Sequence, residues 1–505
     1  MRKKFMAVIL AAVMGAALTG CFQGQSICLS EPAAESEAAA LPEEDNAGEP
    51  EDPTAQRQAE FESFLAEVNA ERQAIYDGTE IPLQEGWASD MDNWGEPFDE
   101  EEVLALMAQP ETLLTLLTAE EAAEDVETAF RLLRQVYAAY DYFGGSAQFD
   151  AMQAQILGEL NQKMVTVGQL ENAMVKWLYA AIADCHFTIG RQSMAQRLGQ
   201  YPVFADGLYF DDPAGLDPEL VKRTIDPEGR IRYTLVKMAA PGNFDAADFP
   251  ASMEIEGKTV QLQWTAGYGS TLETETAFSS ERLQDGTPLL TSRTMGGING
   301  PDAGQQEQLD KMAATGAEYA DEPLVIWDFR GNAGGSNTYF IEWFHGWTGQ
   351  DVDCKLAALH NFHPTAQIVY QSRYGQFLDY ISLPEESGWR KEVHPGAFLE
   401  HQGLTFVLQD KACASAGESS IGMLRTAENT VTVGCNTFGS LLTGNVAQFY
   451  LPNSGLCMTM GMVLQFVETE ENRDGIGYLP DLWVPSDKAL ERVEKMVGYY
   501  GLSGI

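Results

Sequence analysis

The sequence predicts an α+β fold in which a helical segment precedes a strand-rich part. Apolar residues recur at helical spacing between about residues 59 and 190, whereas short apolar runs bounded by turn residues dominate the rest. Helix-like pieces, NTYFIEWFHGW and SSIGMLRTA, lie between these runs, which predicts a mixed sheet with helices packed on it. A chain of 505 residues is too long for one hydrophobic core, so we expect two or three domains.

The composition excludes one class of partner. Lys and Arg number 31 and Asp and Glu 75, which gives a formal net charge of −44. A surface of this sign repels the phosphates of nucleic acids and anionic lipid headgroups. A hydrophobic content of 45% is typical of folded proteins. We therefore expect a folded protein that binds no nucleic acid.

Residues 1–20 form a predicted lipoprotein signal peptide. The basic residues RKK at 2–4 precede an apolar run at 5–18 that is too short for a stable transmembrane helix. The run ends in LTGC, which resembles the bacterial lipobox, so we expect lipidation of Cys21. The alternative is an ordinary cleaved signal that contains a cysteine. Lipidation predicts a lipid-anchored protein on the extracytoplasmic face of a bacterial cell membrane.

Residues 21–58 form a predicted disordered acidic tether. Positions 22–56 contain no Lys or Arg and are rich in Glu, Ala and Pro. Such a segment cannot bury enough apolar surface to become ordered, and its self-repulsion keeps it extended.

The next predicted unit is a small helical domain at 59–190. The stretch TAEEAAEDVETAFRLLRQVYAAYDYFGG begins with Thr118 as the N-cap, carries acids in its first turn and stops at a glycine pair. A β-rich intermediate region at 191–320 follows, with strand patterns such as RIRYTLVKMA and KTVQLQWTAG. The remaining residues, 321–505, form the predicted core.

Ser415 stands in a cramped setting, KACASAGESSIG, between an apolar run and a helix-like stretch. Small neighbours leave its Oγ accessible, and a helix that begins at the serine would direct unpaired N–H groups at a developing oxyanion. The alternative is a tight turn in which Ser415 only caps that helix.

A second segment, PLVIWDFRGNAGGS, combines an apolar strand with a glycine-rich turn. Glycines after a strand allow positive φ and let backbone N–H groups approach a ligand. The turn lacks the Lys-Ser/Thr of a P-loop and the spacing of a dinucleotide fingerprint. Half of an oxyanion hole is the other use of such a turn.

The motifs DFRGNAGG, ASAGE, VGCNTFG, LPNSG and GYLPD follow one another in this order. This order resembles the C-terminal processing (tail-specific) peptidases and their tricorn-like relatives over about residues 320–485. The resemblance implies a crotonase-like ββα catalytic core. It also implies that Ser415 is the nucleophile and that the Gly334–Gly335 turn and the N–H of Ala416 bind the oxyanion. Many processing peptidases carry a PDZ module before this core, but residues 191–320 contain no clear PDZ loop.

The general base is the point at which the chain departs from the processing branch. That branch has a lysine where this chain has Ser440, and Lys411 is expected to be a solvated strand end. The tricorn-like branch uses an upstream histidine, which points to His186 in the stretch ADCHFT. The alternative is a structural histidine. The remaining histidines match no motif and are expected to be structural or on the surface: His345, His360, His363, His394 and His401.

The tricorn-like branch also has an orienting glutamate before the terminal Pro-Asp, and the candidates here are Glu470, Glu471 and Asp474. We choose Glu471, although an acidic surface turn is the alternative. Cys185 replaces a polar serine before the histidine, which weakens any relay beyond His186.

The cysteines give no disulfide framework and no metal spacing. Cys185, Cys354, Cys413, Cys435 and Cys457 are expected to be free thiols, and no metal or cofactor is expected.

The sequence therefore predicts an extracytoplasmic, membrane-tethered serine peptidase that cleaves peptides or proteins by acyl transfer. The alternative is a catalytically silent lipoprotein that binds peptides in the same cleft. The sequence assigns neither a particular substrate nor an oligomeric state.

Overall fold

The computed structural model describes residues 53–502, except for 79, 90, 92–93, 112–113, 241–247, 268–274, 352–353 and 375–382. The predicted signal peptide, Cys21 and most of the predicted tether lie outside the described residues. The chain divides into two units, Met1–Glu60 and Phe61–Ile505. In the first unit the described residues, 53–60, are helical, so the helical part begins before the predicted boundary at 58. Proline at the first helical position is favourable, because its missing N–H has no partner there in any case.

The helices are the following, in chain order: α1 (Pro53–Tyr76), α2 (Glu100–Met107), α3 (Ala119–Val136), α4 (Gly145–Glu159), α5 (Val167–Leu178), α6 (Ala195–Leu198), α7 (Ala303–Ala314), α8 (Thr338–Thr348), α9 (Pro364–Tyr374), α10 (Ala416–Leu424) and α11 (Ala489–Tyr500).

The strands are the following, in chain order: β1 (Leu116–Thr118), β2 (Met164–Thr166), β3 (Thr188–Ile189), β4 (Gln192–Ser193), β5 (Tyr201–Ala205), β6 (Val221–Ile225), β7 (Ile231–Ala239), β8 (Ser252–Ile255), β9 (Lys258–Gln261), β10 (Trp264–Ala266), β11 (Ser279–Arg282), β12 (Pro288–Thr291), β13 (Leu324–Asp328), β14 (Leu356–Phe362), β15 (Gly388–His394), β16 (Leu404–Gln409), β17 (Thr430–Gly434), β18 (Thr443–Tyr450), β19 (Cys457–Val467) and β20 (Leu482–Trp483).

The start of α3 confirms one prediction made from the sequence. Thr118 caps the helix and accepts a hydrogen bond from the backbone of Glu121, whose side chain accepts one from the backbone of Thr118. The helix ends at Val136, earlier than the predicted glycine pair. The chain leaves helical geometry at Tyr137, a fully buried residue whose hydroxyl donates to Asp184.

The first sheet positions the two glycine- and serine-rich loops. Its strand order is β11-β12-β13-β16-β17-β20, and all neighbours are parallel except β11 and β12. β13 and β16 are buried along their whole length, because helices cover both faces of the sheet. α7, α8 and α10 pack on one face, and α1 and α11 pack on the other. Asp328 pairs with Leu408, so the loops after β13 and β16 leave the same edge of the sheet.

The second sheet positions the loop that carries His186. It is antiparallel, with the order β15-β14-β19-β3-β4, and β18 pairs with β19 as the predicted hairpin. β3 begins just after His186 and pairs with β19 through Thr188 and Thr459. This pairing fixes the chain on the C-terminal side of the histidine.

The helical segment and the second sheet share one hydrophobic core. Buried residues of α3, α4 and α5, such as Leu133, Phe149 and Leu170, lie in the same cluster as Phe449 and Leu464 of β18 and β19. A separate helical domain at 59–190 is therefore not confirmed. The described chain is a mixed α+β protein, as predicted. None of the helices in the described ranges is long and apolar enough to cross a membrane.

Candidate active site

Ser415 lies between β16 and α10, at the strand-to-helix turn that the sequence predicts. Its backbone has φ +54° and ψ −119°, a strained conformation for a residue other than glycine. Its N–H donates to Glu418 Oε2 at 3.0 Å and to Ser440 Oγ at 2.9 Å. These bonds hold the turn in place, and Ser415 is partly buried.

The structure brings His186 to Ser415. His186 Nε2 lies 3.0 Å from Ser415 Oγ, which is hydrogen-bond distance. The backbone carbonyl of His186 accepts a hydrogen bond from Thr459 Oγ1 at 2.7 Å, so β19 supports the loop. With the proton on Nδ1, Nε2 is free to accept the hydroxyl proton of Ser415.

The surroundings of His186 favour a neutral imidazole. Burial lowers its pKa below the ordinary value of 6.5, while the charges of Asp184 and Glu418 and the backbone of Thr443 act in the opposite direction. Nδ1 is buried and has no hydrogen-bond partner among the described residues. A neutral ring near pH 7 is the form that can act as a general base.

The two glycines of the predicted oxyanion turn differ in what their N–H groups do. The Gly334 N–H donates to Asn332 Oδ1 at 2.9 Å, so it is not available to an oxyanion. The structure records no partner for the N–H of Gly335, or for that of Ala416, among the described residues. A Cβ placed on Gly334 would lie 3.0 Å from Ala416 N, so the glycine turn packs directly on the start of α10. The unpaired donors therefore come from Gly335 and Ala416.

Asn332 joins the two loops. Its backbone carbonyl accepts from Ala414 N at 2.8 Å, and its side chain donates to Ser292 Oγ at 3.0 Å. Together with the bond to Gly334, these contacts fix the glycine turn against the nucleophile loop. Asn332 is fully buried, so its bonds are not exchanged with water.

Glu418 holds the loop at 437–440 to the start of α10. Its Oε2 accepts from the backbone N–H of Ser415 and Ser440 at 3.0 and 2.9 Å, and its Oε1 accepts from Gly439 N at 2.9 Å. Ser440 Oγ donates to Oε2 at 3.1 Å. Ser440, which stands at the lysine position of the processing branch, thus contacts the backbone of Ser415.

Two buried carboxyl groups accept hydrogen bonds from the backbone at His186 and at its neighbour Cys185. Asp184 accepts the His186 N–H at 2.9 Å and bonds to hydroxyls of Tyr137 and Thr443. Asp474 Oδ2 accepts from Cys185 N at 2.6 Å, and its Oδ1 accepts from the backbone of the loop that follows Ser440. Burial, followed by the charge of Asp184, raises the pKa of Asp474 well above its ordinary value.

The structure does not bring Glu471 to the imidazole. Glu471 is exposed, and the bond recorded for it is its own backbone N–H donating to Thr469 Oγ1 at 3.2 Å. Its neighbour Asn472 turns inward and donates to the carbonyl of Ala183 at 2.8 Å. The carboxylates that act on His186 in the described part of the chain are Asp184 and Glu418. The assignment of Glu471 is therefore corrected, because the turn at 469–472 directs this side chain to solvent.

Lys411 also differs from its prediction as a solvated strand end. It is buried, and Nζ donates to the carbonyls of Thr437, Phe438 and Gly475 at 3.1, 3.0 and 2.8 Å. Burial lowers the pKa of Lys411 to about 8. Lys411 thus ties the 437–440 loop to the chain around Asp474.

Residues 295–483 match the sequence model of peptidase family S41. Over these residues the chain is similar to peptidase family S41. This similarity supports a serine-type peptidase.

The following solved structures are similar to this chain and distant from it in sequence. Mature CPAF is 12% identical, with 76% of this chain and 96% of that chain covered and a TM-score of 0.40. The photosystem II D1 C-terminal processing protease is 14% identical, with 75% and 97% covered and a TM-score of 0.37. Tricorn protease is 12% identical, with 75% and 35% covered and a TM-score of 0.29. No curated protein matches the chain.

The described part of the chain holds no cluster of three or more His, Cys, Asp or Glu side chains that could bind a metal ion. Its described cysteines form no disulfide bonds: Cys185, Cys354, Cys413, Cys435 and Cys457. His363 is buried, and burial lowers its pKa to about 4. His360 and His394 both contact Glu392, so neither faces Ser415.

Sequence reasoning missed Glu418, Asn332 and Asp184. A signal for Glu418 was present, because Ser415 and Glu418 have the S-x-x-E spacing of a capping box. Asp184 lies two residues before His186, where a local side-chain-to-backbone bond is common. No sequence signal shows that Asn332 takes the N–H of Gly334.

Proposed function

We propose that this chain is an S41-type serine peptidase that cleaves peptide bonds by acyl transfer at a Ser/His site, with Ser415 as nucleophile and His186 as general base. The observation that carries the proposal is the 3.0 Å separation of His186 Nε2 and Ser415 Oγ. The parallel sheet with helices on both faces and the turn at Ser415 support a crotonase-like core.

The reaction follows from the geometry. Ser415 Oγ attacks the carbonyl carbon of the scissile bond while His186 Nε2 takes the hydroxyl proton. The carbonyl oxygen becomes an oxyanion that the N–H groups of Gly335 and Ala416 stabilise, aided by the positive end of α10. The imidazolium then gives its proton to the leaving amine, and an acyl-enzyme remains. Water, activated by His186, hydrolyses this ester and restores Ser415.

A digest of an unfolded protein such as reduced casein tests the function. We expect new peptide N-termini, detected by mass spectrometry, with the wild-type chain and none with Ser415→Ala. Ser419→Ala, on the same helix, should retain cleavage and serves as the control for folding. A folded wild-type chain that forms an ester at Ser415 with an active-site probe, but cleaves no peptide, would contradict the peptidase function. The silent peptide-binding alternative is not favoured, because Ser415 and His186 lie at hydrogen-bond distance.

We also propose that the protein is tethered to the extracytoplasmic face of a bacterial membrane through lipidated Cys21. The support is the stretch LTGC after an apolar run, together with the acidic segment that follows it. Mass spectrometry of the mature N-terminus should find a diacylglyceryl group on Cys21, and Cys21→Ala should release the protein from membranes or block its processing. A mature chain that starts at another residue would contradict the anchor.

A further inference from the structure

Asp184 is a buried carboxylate whose recorded partners are all neutral. Tyr137 OH and Thr443 Oγ1 donate to its Oδ2 at 2.8 and 2.9 Å. The His186 N–H donates to its Oδ1 at 2.9 Å. No ion pair joins Asp184 to Lys or Arg among the residues that the structure describes, and its side chain is fully buried. A buried negative charge without a counter-ion is unfavourable, so its position next to His186 calls for an explanation.

The hydrogen bond from the backbone N–H of His186 to Asp184 fixes the position of the histidine in its loop. The loop is also held by Thr459, which bonds the carbonyl of His186, and by Asp474, which bonds the N–H of Cys185. The backbone of His186 is therefore held at both its N–H and its carbonyl, and the backbone of Thr443 acts on the ring. The ring becomes positive when it takes the proton of Ser415, and Asp184 is then the nearest acid in sequence.

We propose that Asp184 is a positioning residue of the peptidase: it fixes the loop of His186 and its charge stabilises the imidazolium that forms during acyl transfer. The inference rests on the proposed Ser/His mechanism. It gives Asp184 the part that the sequence assigned to Glu471, without a carboxylate bonded to the ring.

Other charged and titratable groups face this region, and they define what the test must separate. Asp474 and Tyr137 interact electrostatically with Asp184, as do Tyr179 and Cys185. Glu418 faces His186 from α10 and favours its protonation, although less than Asp184 does. The charge of Lys411 acts in the direction that lowers the pKa of Cys185. Removal of one negative charge at 184 therefore changes the field at His186 while Glu418 stays in place.

The experiment measures inactivation by a fluorophosphonate probe as a function of pH, which needs no known peptide substrate. For Asp184→Asn we expect the rate at the high-pH plateau to fall by about tenfold to a hundredfold, since the imidazolium loses its stabilising charge. The pKa of His186 should fall as well, because the charge of Asp184 raises it. The midpoint of the rate profile should therefore move to lower pH. Asp184→Glu keeps the charge and should return the midpoint toward the wild-type value.

Two variants separate charge from packing. Asp125 is another buried acid held by neutral donors, the backbone N–H groups of Asn453 and Ser454, so Asp125→Asn controls for the loss of a buried carboxylate. Tyr137→Phe removes one donor to Asp184 but keeps its charge, so the midpoint should not move to lower pH. If Asp184→Asn loses rate at an unchanged midpoint, or if Tyr137→Phe lowers the midpoint as much, Asp184 has only a structural role. Wild-type chain that the probe does not label would instead refute the Ser/His mechanism itself.

Discussion

At the level of single residues, Ser415 and Gly335 both have unusual backbone conformations. A positive φ at a residue with a side chain costs about 1–3 kcal/mol, which the bonds of the Ser415 N–H to Glu418 and Ser440 offset. At Gly335 the φ is +138°, a region that side chains rarely adopt. Glycine adopts this region without strain, so the strained residue of the two is Ser415.

Substitution of Gly335 tests that arrangement. A Cβ at this position would lie 1.9 Å from the carbonyl oxygen of Met295, so Gly335→Ala must displace the backbone that carries the unpaired N–H. We expect a loss of probe labelling of about a hundredfold or more, as for removal of an oxyanion donor. Gly158→Ala, in the exposed last turn of α4, should label at the wild-type rate. Equal rates for both alanine variants would exclude Gly335 from the oxyanion hole.

The pH dependence of labelling distinguishes the two buried bases near Ser415. The neutral imidazole is the reactive form, and burial lowers the pKa of His186 below 6.5. The rate should therefore rise with pH and reach half its plateau below pH 6.5. Burial lowers the pKa of Lys411 to about 8. A midpoint near 8 would point to Lys411 and would contradict the assignment of His186.

Sequence patterns predicted the residues that lie next to one another in a motif, and they failed where a contact depends on how a side chain turns. The turns at Ser415 and Gly335 could be found because each follows an apolar strand, whereas the roles of these residues came from the family resemblance. The sequence alone could not show whether Glu471 or Asp184 lies near His186. Which acid faces a histidine is decided by the folded loops, and both residues lie in acidic or polar turns.

At the level of elements, the side chain of Glu418 joins the start of α10 to the loop at 437–440. The carboxylate of Glu418 is buried and is bonded by backbone and hydroxyl groups of that loop. Ser415 shares the same carboxylate through its N–H. One carboxylate therefore joins the helix start, Ser415 and the loop.

Glu418→Gln should disturb this unit. An amide has one acceptor oxygen, whereas both oxygens of the Glu418 carboxylate accept hydrogen bonds. In the variant the NH2 group would face N–H donors and could not accept their hydrogen bonds. We expect the free energy of unfolding to fall by about 2 kcal/mol or more, because hydrogen bonds to a charged, buried group are lost. Urea unfolding measures this, and Glu494→Gln, an exposed change on α11, is the control. The same unfolding free energy for both variants would show that the Glu418 bonds contribute little.

The order of elements was readable from the sequence to a large extent. The strands of LVIWD, LTFVLQ and TVTVG are confirmed, since continuous apolar runs of this length are typical of buried parallel strands. The end of α3 at Val136 could not be predicted from the sequence, because Tyr137 leaves the helix to bond Asp184, which lies 47 residues further along the chain. Tertiary contacts set helix ends that local patterns leave open.

At the level of the whole molecule, the helical segment and the second sheet form one core. The sequence predicts a separate helical domain because its periodicity changes near residue 190, but periodicity shows which face of an element is apolar and not what covers that face. The loop of His186 lies between these two parts of the core. Its position therefore depends on their packing.

Leu464→Ala tests whether they unfold together. Leu464 is fully buried in β19, and loss of its side chain should destabilise the protein by about 2–5 kcal/mol. Hydrogen exchange should then accelerate in the amides of α5 as well as in β19. Leu408→Ala, in the core of the first sheet, is the matched control. Faster exchange confined to β19 would indicate that the helices form an independent unit.

The central claim is that Ser415 is the nucleophile and His186 its base. The most direct measurement is the site and rate of reaction with a fluorophosphonate, read by mass spectrometry of the digested chain. The account predicts an adduct on the Ser415 peptide and labelling of folded His186→Ala slower by about a thousandfold or more. An adduct on another residue, or His186→Ala that labels at the wild-type rate, would contradict it.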